Sequence, residues 1–328
     1  NVKTNTGANI VEYIRKHKQS TAKELVESIQ ISPQALFRQL KKLQEKNKIY
    51  KVGTPPKVFY FLKEEVREEN IYRVKIEKKL QKIIDTNYLF ITPTGELKQG
   101  FQGLEYWCKR TNQPLEKTAK EYVETLRKYN TYKKSGVVDG TKKLKTTFSH
   151  TTVNKLFYLD FYSIERFGKT KLGQLLLYAK QSQNRKFMRE LTESIGPTIH
   201  QCIKKWKINA VGFIPPTVKR EVQFMRELEK NLNLKTEKIN IVKLKTEIAV
   251  PQKTLSKLED RIENAQKTMI VESRKQYKNI LLIDDAVGSG STINETAKQI
   301  KAKGLCKGKI IGLAITGSFK GFDVISEV

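Results

Sequence analysis

One short stretch constrains this chain more than any other. Residues 278–293 read Lys278-Asn279-Ile280-Leu281-Leu282-Ile283-Asp284-Asp285-Ala286-Val287-Gly288-Ser289-Gly290-Ser291-Thr292-Ile293. The uninterrupted apolar run over 280–283 is that of a strand covered on both faces, as inside a parallel sheet. It runs into two successive carboxylates, then a loop of small residues, then a helix opening at Ser291-Thr292. From residue 210 onward strands over 210–214, 240–244, 279–283 and 309–315 alternate with helices over 219–232, 257–269 and 292–303. That alternation predicts an α/β fold: a parallel sheet flanked by helices.

The chemistry of the stretch follows from its residue types. Gly288 and Gly290 let backbone approach a ligand closely, and the free N–H groups of a helix start point at an anion that the helix dipole also favours. Ser289, Ser291 and Thr292 add hydroxyl donors. Asp284 and Asp285 would repel a phosphate, so they must face hydrogen-bond donors, for which ribose hydroxyls are the natural source. A phosphate and a sugar side by side is the implied ligand. A P-loop needs a Lys directly before Ser291, and a dinucleotide fingerprint needs a third Gly where Ile293 stands, so both are set aside.

The segment Asp284-Asp285-Ala286-Val287-Gly288-Ser289-Gly290-Ser291-Thr292 resembles the phosphoribosyl-pyrophosphate (PRPP) loop of type I phosphoribosyltransferases. Upstream, Ile214-Pro215-Pro216-Thr217-Val218-Lys219-Arg220 resembles the segment after the first core strand in the ComF-like, amidophosphoribosyltransferase-like branch. Gln252, Arg261 and Asn264 follow the order of that branch's Q, R and N positions, and the closing Gly321-Phe322-Asp323-Val324-Ile325 looks like a tail over the base site. The resemblance spans residues 157–328. It implies displacement of pyrophosphate from PRPP by a nitrogen acceptor, usually a nucleobase. Asp284 and Asp285 would be the catalytic pair on the 2′ and 3′ hydroxyls, and Ala286, Val287, Gly288, Ser289, Gly290, Ser291 and Thr292 would hold the 5′-phosphate. Lys219 and Arg220 would meet the pyrophosphate, unless they are ordinary solvated charges at a helix start. Mg2+ would accompany PRPP, with the substrate supplying most of its ligands rather than the protein.

The chain carries 63 Lys plus Arg against 34 Asp plus Glu, a net charge of +29. Such an excess favours polyanionic partners, although a Lys-rich compositional bias would produce it too. It is marked in residues 1–63, where 13 basic and 4 acidic residues leave +9. Helical spacing at Ile10, Val11 and Ile14, a cap at Thr21 with Glu24, and Ser32-Pro33 opening a third helix with the apolar stripe Leu36, Leu40 and Leu43 precede strands over 48–52 and 57–62. This layout resembles a bacterial winged helix-turn-helix. By that resemblance Gln34 and Arg38 would meet base edges of double-stranded DNA, Lys41 and Lys42 its phosphates, and Lys51 and Lys57 the backbone or minor groove. The alternative is a domain used for packing or dimerisation, with Phe37 in its core or at a dimer contact.

At 328 residues the chain is long enough for about two domains. The expected division is a winged-helix domain over 1–63, a connector and small mixed α/β segment over 64–150, and a phosphoribosyltransferase-like domain over 151–328. Within the middle segment a helix runs through residue 83, a strand over 88–91, a helix over 115–129 and a flexible Lys/Gly/Thr/Ser-rich loop over 132–147. Cys108, Cys202 and Cys306 are too scattered for a disulfide framework or a zinc site. No window approaches ~18 uncharged apolar residues, and Asn1-Val2-Lys3-Thr4-Asn5 lacks a signal-peptide run, which predicts a cytoplasmic protein with no membrane partner. Two functions suit these features: a phosphoribosyltransferase, or a PRPP-sensing DNA-binding transcription regulator without catalysis. Both resembled families commonly form homodimers.

Overall fold

The computed structural model describes residues 6–63 and 76–318. The charged connector over 64–75 and the closing 321–325 tail lie outside the described residues. The chain divides into two compact units, 1–75 and 76–328, so residues 76–150 belong to the second unit.

The first unit runs α1 (Thr6–His17), β1 (Gln19–Thr21), α2 (Ala22–Ile29), α3 (Pro33–Glu45), β2 (Ile49–Thr54) and β3 (Lys57–Leu62). Its strands form an antiparallel sheet in the order β1-β3-β2. Local chemistry sets the helix starts. The Thr21 N–H donates to Glu24 Oε2 at 2.7 Å while the Glu24 N–H donates to Thr21 Oγ1 at 3.3 Å, a reciprocal cap on α2. Ser32 Oγ accepts from the Ala35 N–H at 3.2 Å, with Pro33 in the first turn of α3. Ile10, Ile14, Leu25, Leu36, Leu40 and Leu43 interlock as the core. Phe37 is 53% exposed and takes no part in it.

The second unit opens with α4 (Lys78–Asn87), β4 (Leu89–Ile91), β5 (Leu97–Gln99), α5 (Gly100–Arg110), α6 (Leu115–Asn130), β6 (Lys133–Lys134), β7 (Val137–Asp139) and α7 (Thr141–Thr147). It continues through β8 (Lys155–Phe161), α8 (Lys171–Ser182), α9 (Arg185–Lys205), β9 (Ala210–Phe213), α10 (Phe224–Leu232), β10 (Glu237–Ile239) and β11 (Ile241–Lys243). The last elements are α11 (Leu258–Thr268), β12 (Met269–Val271), β13 (Ile280–Val287), α12 (Ser291–Ala302) and β14 (Ile310–Gly317). Seven strands form the central sheet in the order β10-β9-β13-β14-β8-β7-β6. The first five are mutually parallel, and β7 and β6 add antiparallel at one edge. The fold is therefore α/β with a mostly parallel sheet between helices. Strand β13 explains why: Ile280 and Leu282 enter the apolar cluster on one face, with Ile293 and Ala297 of α12, while Leu281 and Ile283 enter the other, with Leu176 of α8 and Leu228 of α10.

Three expectations need correction. The 132–147 stretch is not a flexible loop but a hairpin and a helix. Ser135 and Gly136, at φ +53° and +80°, make the two-residue left-handed turn that matches strand twist, and Asp139 Oδ1 accepts from the Thr141 N–H at 2.8 Å at the start of α7. The 219–232 helix begins only at Phe224. Gln223 Nε2 donates to the carbonyls of Val218 and Arg220, each at 3.2 Å, which folds the preceding residues back as a loop. The strand over 240–244 is split, with β10 completing the main sheet and β11 pairing antiparallel with β12. Among the described residues no helix is long and apolar enough to cross a membrane.

Candidate functional site

The first half of β13 is sealed, and its second half comes to the surface. Ile280 to Ile283 are at most 1% exposed, whereas Asp284, Asp285 and Ala286 are half-buried at the carboxyl end of the strand, where open α/β sheets place ligands. Ala286 lies level with Thr316 of β14. The chain then turns through Gly288, Ser289 and Gly290 into α12. Gly290 sits at φ +85°, and a Cβ there would come within 2.6 Å of Leu144 Cδ1, so both backbone and space require glycine. It also caps α12 without a side chain, leaving the first-turn amides unsatisfied by the helix itself. Among the described residues the amides of Gly288, Ser289 and Gly290 make no backbone hydrogen bond.

Asp284, Asp285, Ala286, Gly288 and Thr292 line one cavity of about 160 Å³. Its opposite wall is the 214–220 loop after β9, including Arg220, and Gln252 and Arg261 close another side. Two cations bear directly on the acids from below and beside. Lys180, at the end of α8 and only 7% exposed, places Nζ 2.5 Å from Asp285 Oδ2. Arg261 is equally buried, and its Nε donates to the Leu255 carbonyl at 2.6 Å, which aims the guanidinium along the cavity wall. The Asp285 N–H donates to Asp284 Oδ1 at 2.8 Å. Burial, and then the adjacent Asp285 charge, hold the Asp284 carboxyl well above the ordinary carboxylate range, opposed by the Asp285 amide and by Lys180. A site with loop amides, Lys180, Arg220, Arg261 and paired carboxylates on one small cavity suits a ligand that is anionic at one end and carries hydroxyl donors at the other.

The residues singled out from the sequence divide by position. Val287, Ser289, Gly290 and Ser291 are buried beneath the cavity rather than on its wall. The Ser289 and Ser291 hydroxyls bond to one another at 2.6 Å, and Ser289 Oγ also accepts from the Ser291 N–H at 3.2 Å. Arg220 reaches this cavity, whereas Lys219 is exposed on the wall of a neighbouring, larger one. Neither is at a helix start. Gln252, Arg261 and Asn264 come together: Gln252 Nε2 donates to the Arg261 carbonyl at 2.9 Å and to Asn264 Oδ1 at 3.2 Å. Lys180 was missed in the sequence, although a lone lysine ending the apolar run Leu175-Leu176-Leu177-Tyr178-Ala179 was its signal.

In the first unit Gln34, Arg38, Lys41 and Lys42 are exposed along α3, and Lys51 and Lys57 are exposed on β2 and β3. Among the described residues no ion pair ties any of these five cations to a carboxylate. Cys108, Cys202 and Cys306 are buried free thiols, and burial pushes Cys202 up to about 11. Compared with known proteins, the chain matches no family model and no curated protein.

Proposed function

We propose that this chain is a type I phosphoribosyltransferase-like protein that binds PRPP at the carboxyl end of β13 and transfers its phosphoribosyl group to a nitrogen acceptor, releasing pyrophosphate. The observation that carries this reading is that the acid pair and the amide-bearing 286–292 turn open onto the same cavity. In this reading Asp284 and Asp285 accept hydrogen bonds from the ribose hydroxyls, and the amides of 288–290 with Thr292 hold the 5′-phosphate against the start of α12. Arg220 and Arg261 stabilise charge developing on the departing pyrophosphate, and the acids stabilise the electron-poor sugar as the bond to it breaks. Positioning and charge compensation supply most of the acceleration.

Magnesium fits the donor set as a companion of the substrate. Among the described residues no three His, Cys, Asp or Glu side chains gather as a metal cage. Asp284 and Asp285 are the hard oxygen ligands the chain offers, and sugar and pyrophosphate oxygens with water would complete the shell. When bound, the ion would screen the pyrophosphate charge. The test is equilibrium binding of PRPP with magnesium, followed by pyrophosphate release with a panel of purine and pyrimidine bases. Binding that is lost in Asp284→Asn/Asp285→Asn supports the reading. Failure of PRPP to bind the parent chain overturns it.

A second reading keeps the same pocket but makes PRPP an effector for a DNA-binding first unit of winged-helix type, without catalysis. It is favoured by the exposed, unpaired cations of α3. PRPP binding with no pyrophosphate release from any base, together with DNA affinity that changes on adding PRPP, would select it over the transferase.

A further inference from the structure

Beside the acid-pair cavity lies a larger one of about 990 Å³, at the upper end of the roughly 300–1,000 Å³ range of small-molecule sites. The two share the wall formed by residues 214–218, Met225 and Pro251. The floor of the larger cavity is apolar, with Ile214, Met225, Ile239 and Ile241 buried beneath it. Its walls are cationic. Lys219, Arg226, Lys243 and Lys245 all line it, and among the described residues none of the four is ion-paired, whereas Lys238 on the same wall is matched to Glu229 at 2.5 Å. Glu247 is the one acidic side chain there without a partner among the described residues.

Two local arrangements make this more than a solvated basic face. Lys219 and Lys245 approach from different loops closely enough that Lys245 holds the Lys219 ammonium below its ordinary range. Two like charges brought together are stabilised by an anion between them. Lys243 is half-buried, its Nζ donates to the neutral Asn264 Oδ1 at 2.9 Å, and burial pushes it down to about 8, so no carboxylate offsets its charge either. The loops that carry these lysines also carry Val218, Leu244, Ile248 and Val250, large apolar side chains left exposed around the opening. Clustered exposed apolar surface of this kind marks a binding surface rather than ordinary solvent-facing residues.

We infer that the larger cavity is a second ligand site for a nucleoside phosphate, its base lying on the apolar floor and its phosphate between Lys219 and Lys245. The charge and the apolar floor together require a ligand that is both anionic and hydrophobic, and a bare inorganic anion would use only the first. The inference does not depend on PRPP occupying the neighbouring cavity.

The test is calorimetric titration of the full chain with the four nucleoside 5′-monophosphates, the four parent nucleosides and inorganic pyrophosphate. At least one monophosphate is expected to bind tenfold or more tightly than both its nucleoside and pyrophosphate. Lys219→Ala/Lys245→Ala is expected to weaken it at least tenfold, and Leu244→Ser several-fold, both substitutions lying at exposed positions that leave the circular dichroism spectrum unchanged. Asp284→Asn/Asp285→Asn should leave nucleotide binding intact, which separates this site from the PRPP pocket. The inference is overturned if no monophosphate binds below 1 mM, if pyrophosphate binds as tightly as the best nucleotide, if the double lysine variant binds like the parent, or if the double asparagine variant abolishes binding.

Discussion

Lys180 Nζ lies 2.5 Å from Asp285 Oδ2, while Asp284, one residue earlier, receives only the Asp285 amide at 2.8 Å. Adjacent acids on one strand end thus have different companions. Asp285 is matched by a buried ammonium, and Asp284 is the carboxyl that burial and its neighbour push upward. The three side chains together carry one net negative charge rather than two, which is what a pocket for a polyanion tolerates beside it.

This asymmetry sets a pH-dependent cost at Asp284. Its folded pKa lies above the ordinary 3.8, so its favourable contribution to folding is complete below that pH and is lost as pH rises through the raised value. At neutral pH the ionised group weighs against the fold. Asp284→Asn is therefore expected to stabilise the chain at pH 7 by about 1–2 kcal/mol, on the scale of roughly 1.4 kcal/mol per pKa unit, with the gain shrinking toward pH 4. The same substitution should weaken PRPP binding at least tenfold. Urea unfolding at the two pH values checks the first effect, and an Asn variant less stable than its parent at pH 7 would contradict it.

Lys180 is the opposite case. Removing one partner of a buried pair leaves an uncompensated charge, which typically costs about 3–5 kcal/mol. Lys180→Met is expected to fall near the lower end, about 3 kcal/mol, since Asp285 keeps some contact with the cavity. Lys180→Met/Asp285→Asn should recover more than half of that loss. If the double variant is no more stable than the single one by chemical denaturation, the ion pair is not what Lys180 contributes.

How far the sequence carried depends on whether each signal was local. The strand, acid pair and turn over 280–290 were legible because an apolar run, two acids and two glycines have few other uses together, and the parallel sheet followed from alternation. The caps at Thr21 and Ser32 were legible for the same reason. The 132–147 hairpin was not, because Ser135-Gly136 between lysines reads as flexible until the strand it pairs with, β8, is known to lie alongside. Lys180 and the 214–223 loop were hidden because their partners, Asp285 and Gln183, lie 105 and 39 residues away in sequence. Only the fold brings them together. The division of 219–232 failed on the Gln223 side chain, whose bonds to Val218 and Arg220 compete with helical hydrogen bonding.

Gly290 offers a direct measure of how tightly α7 is fitted to the turn. Any Cβ there must tolerate φ +85° and a 2.6 Å approach to Leu144 Cδ1. Gly290→Ala is expected to destabilise the chain by about 2 kcal/mol, combining the left-handed strain of about 1 kcal/mol with overpacking of a similar size. Adding Leu144→Ala removes the clash but opens a void, so the double variant should not return to parental stability. PRPP affinity should fall in Gly290→Ala along with stability, because the shift needed to relieve the contact moves the amides of 288–290. A thermal midpoint equal to that of the parent would show that α7 yields freely.

The exposed cations of α3 lead to a separate expectation for nucleic acid. If Lys41 and Lys42 each neutralise a DNA phosphate, the slope of log affinity against log salt contains about 0.9 from each. Lys41→Gln/Lys42→Gln in the full chain is expected to make that slope shallower by about 2 and to weaken binding to every duplex alike. Arg38→Ala should instead cost about 1–3 kcal/mol on a preferred duplex and little on others, as a base-edge contact does. Fluorescence anisotropy on a random 20-mer, and on any duplex enriched by selection, separates the two. An unchanged salt slope in the double lysine variant would mean that α3 does not face the phosphates, and the exposed Phe37 between Gln34 and Arg38 would then point to packing rather than reading as the use of that face.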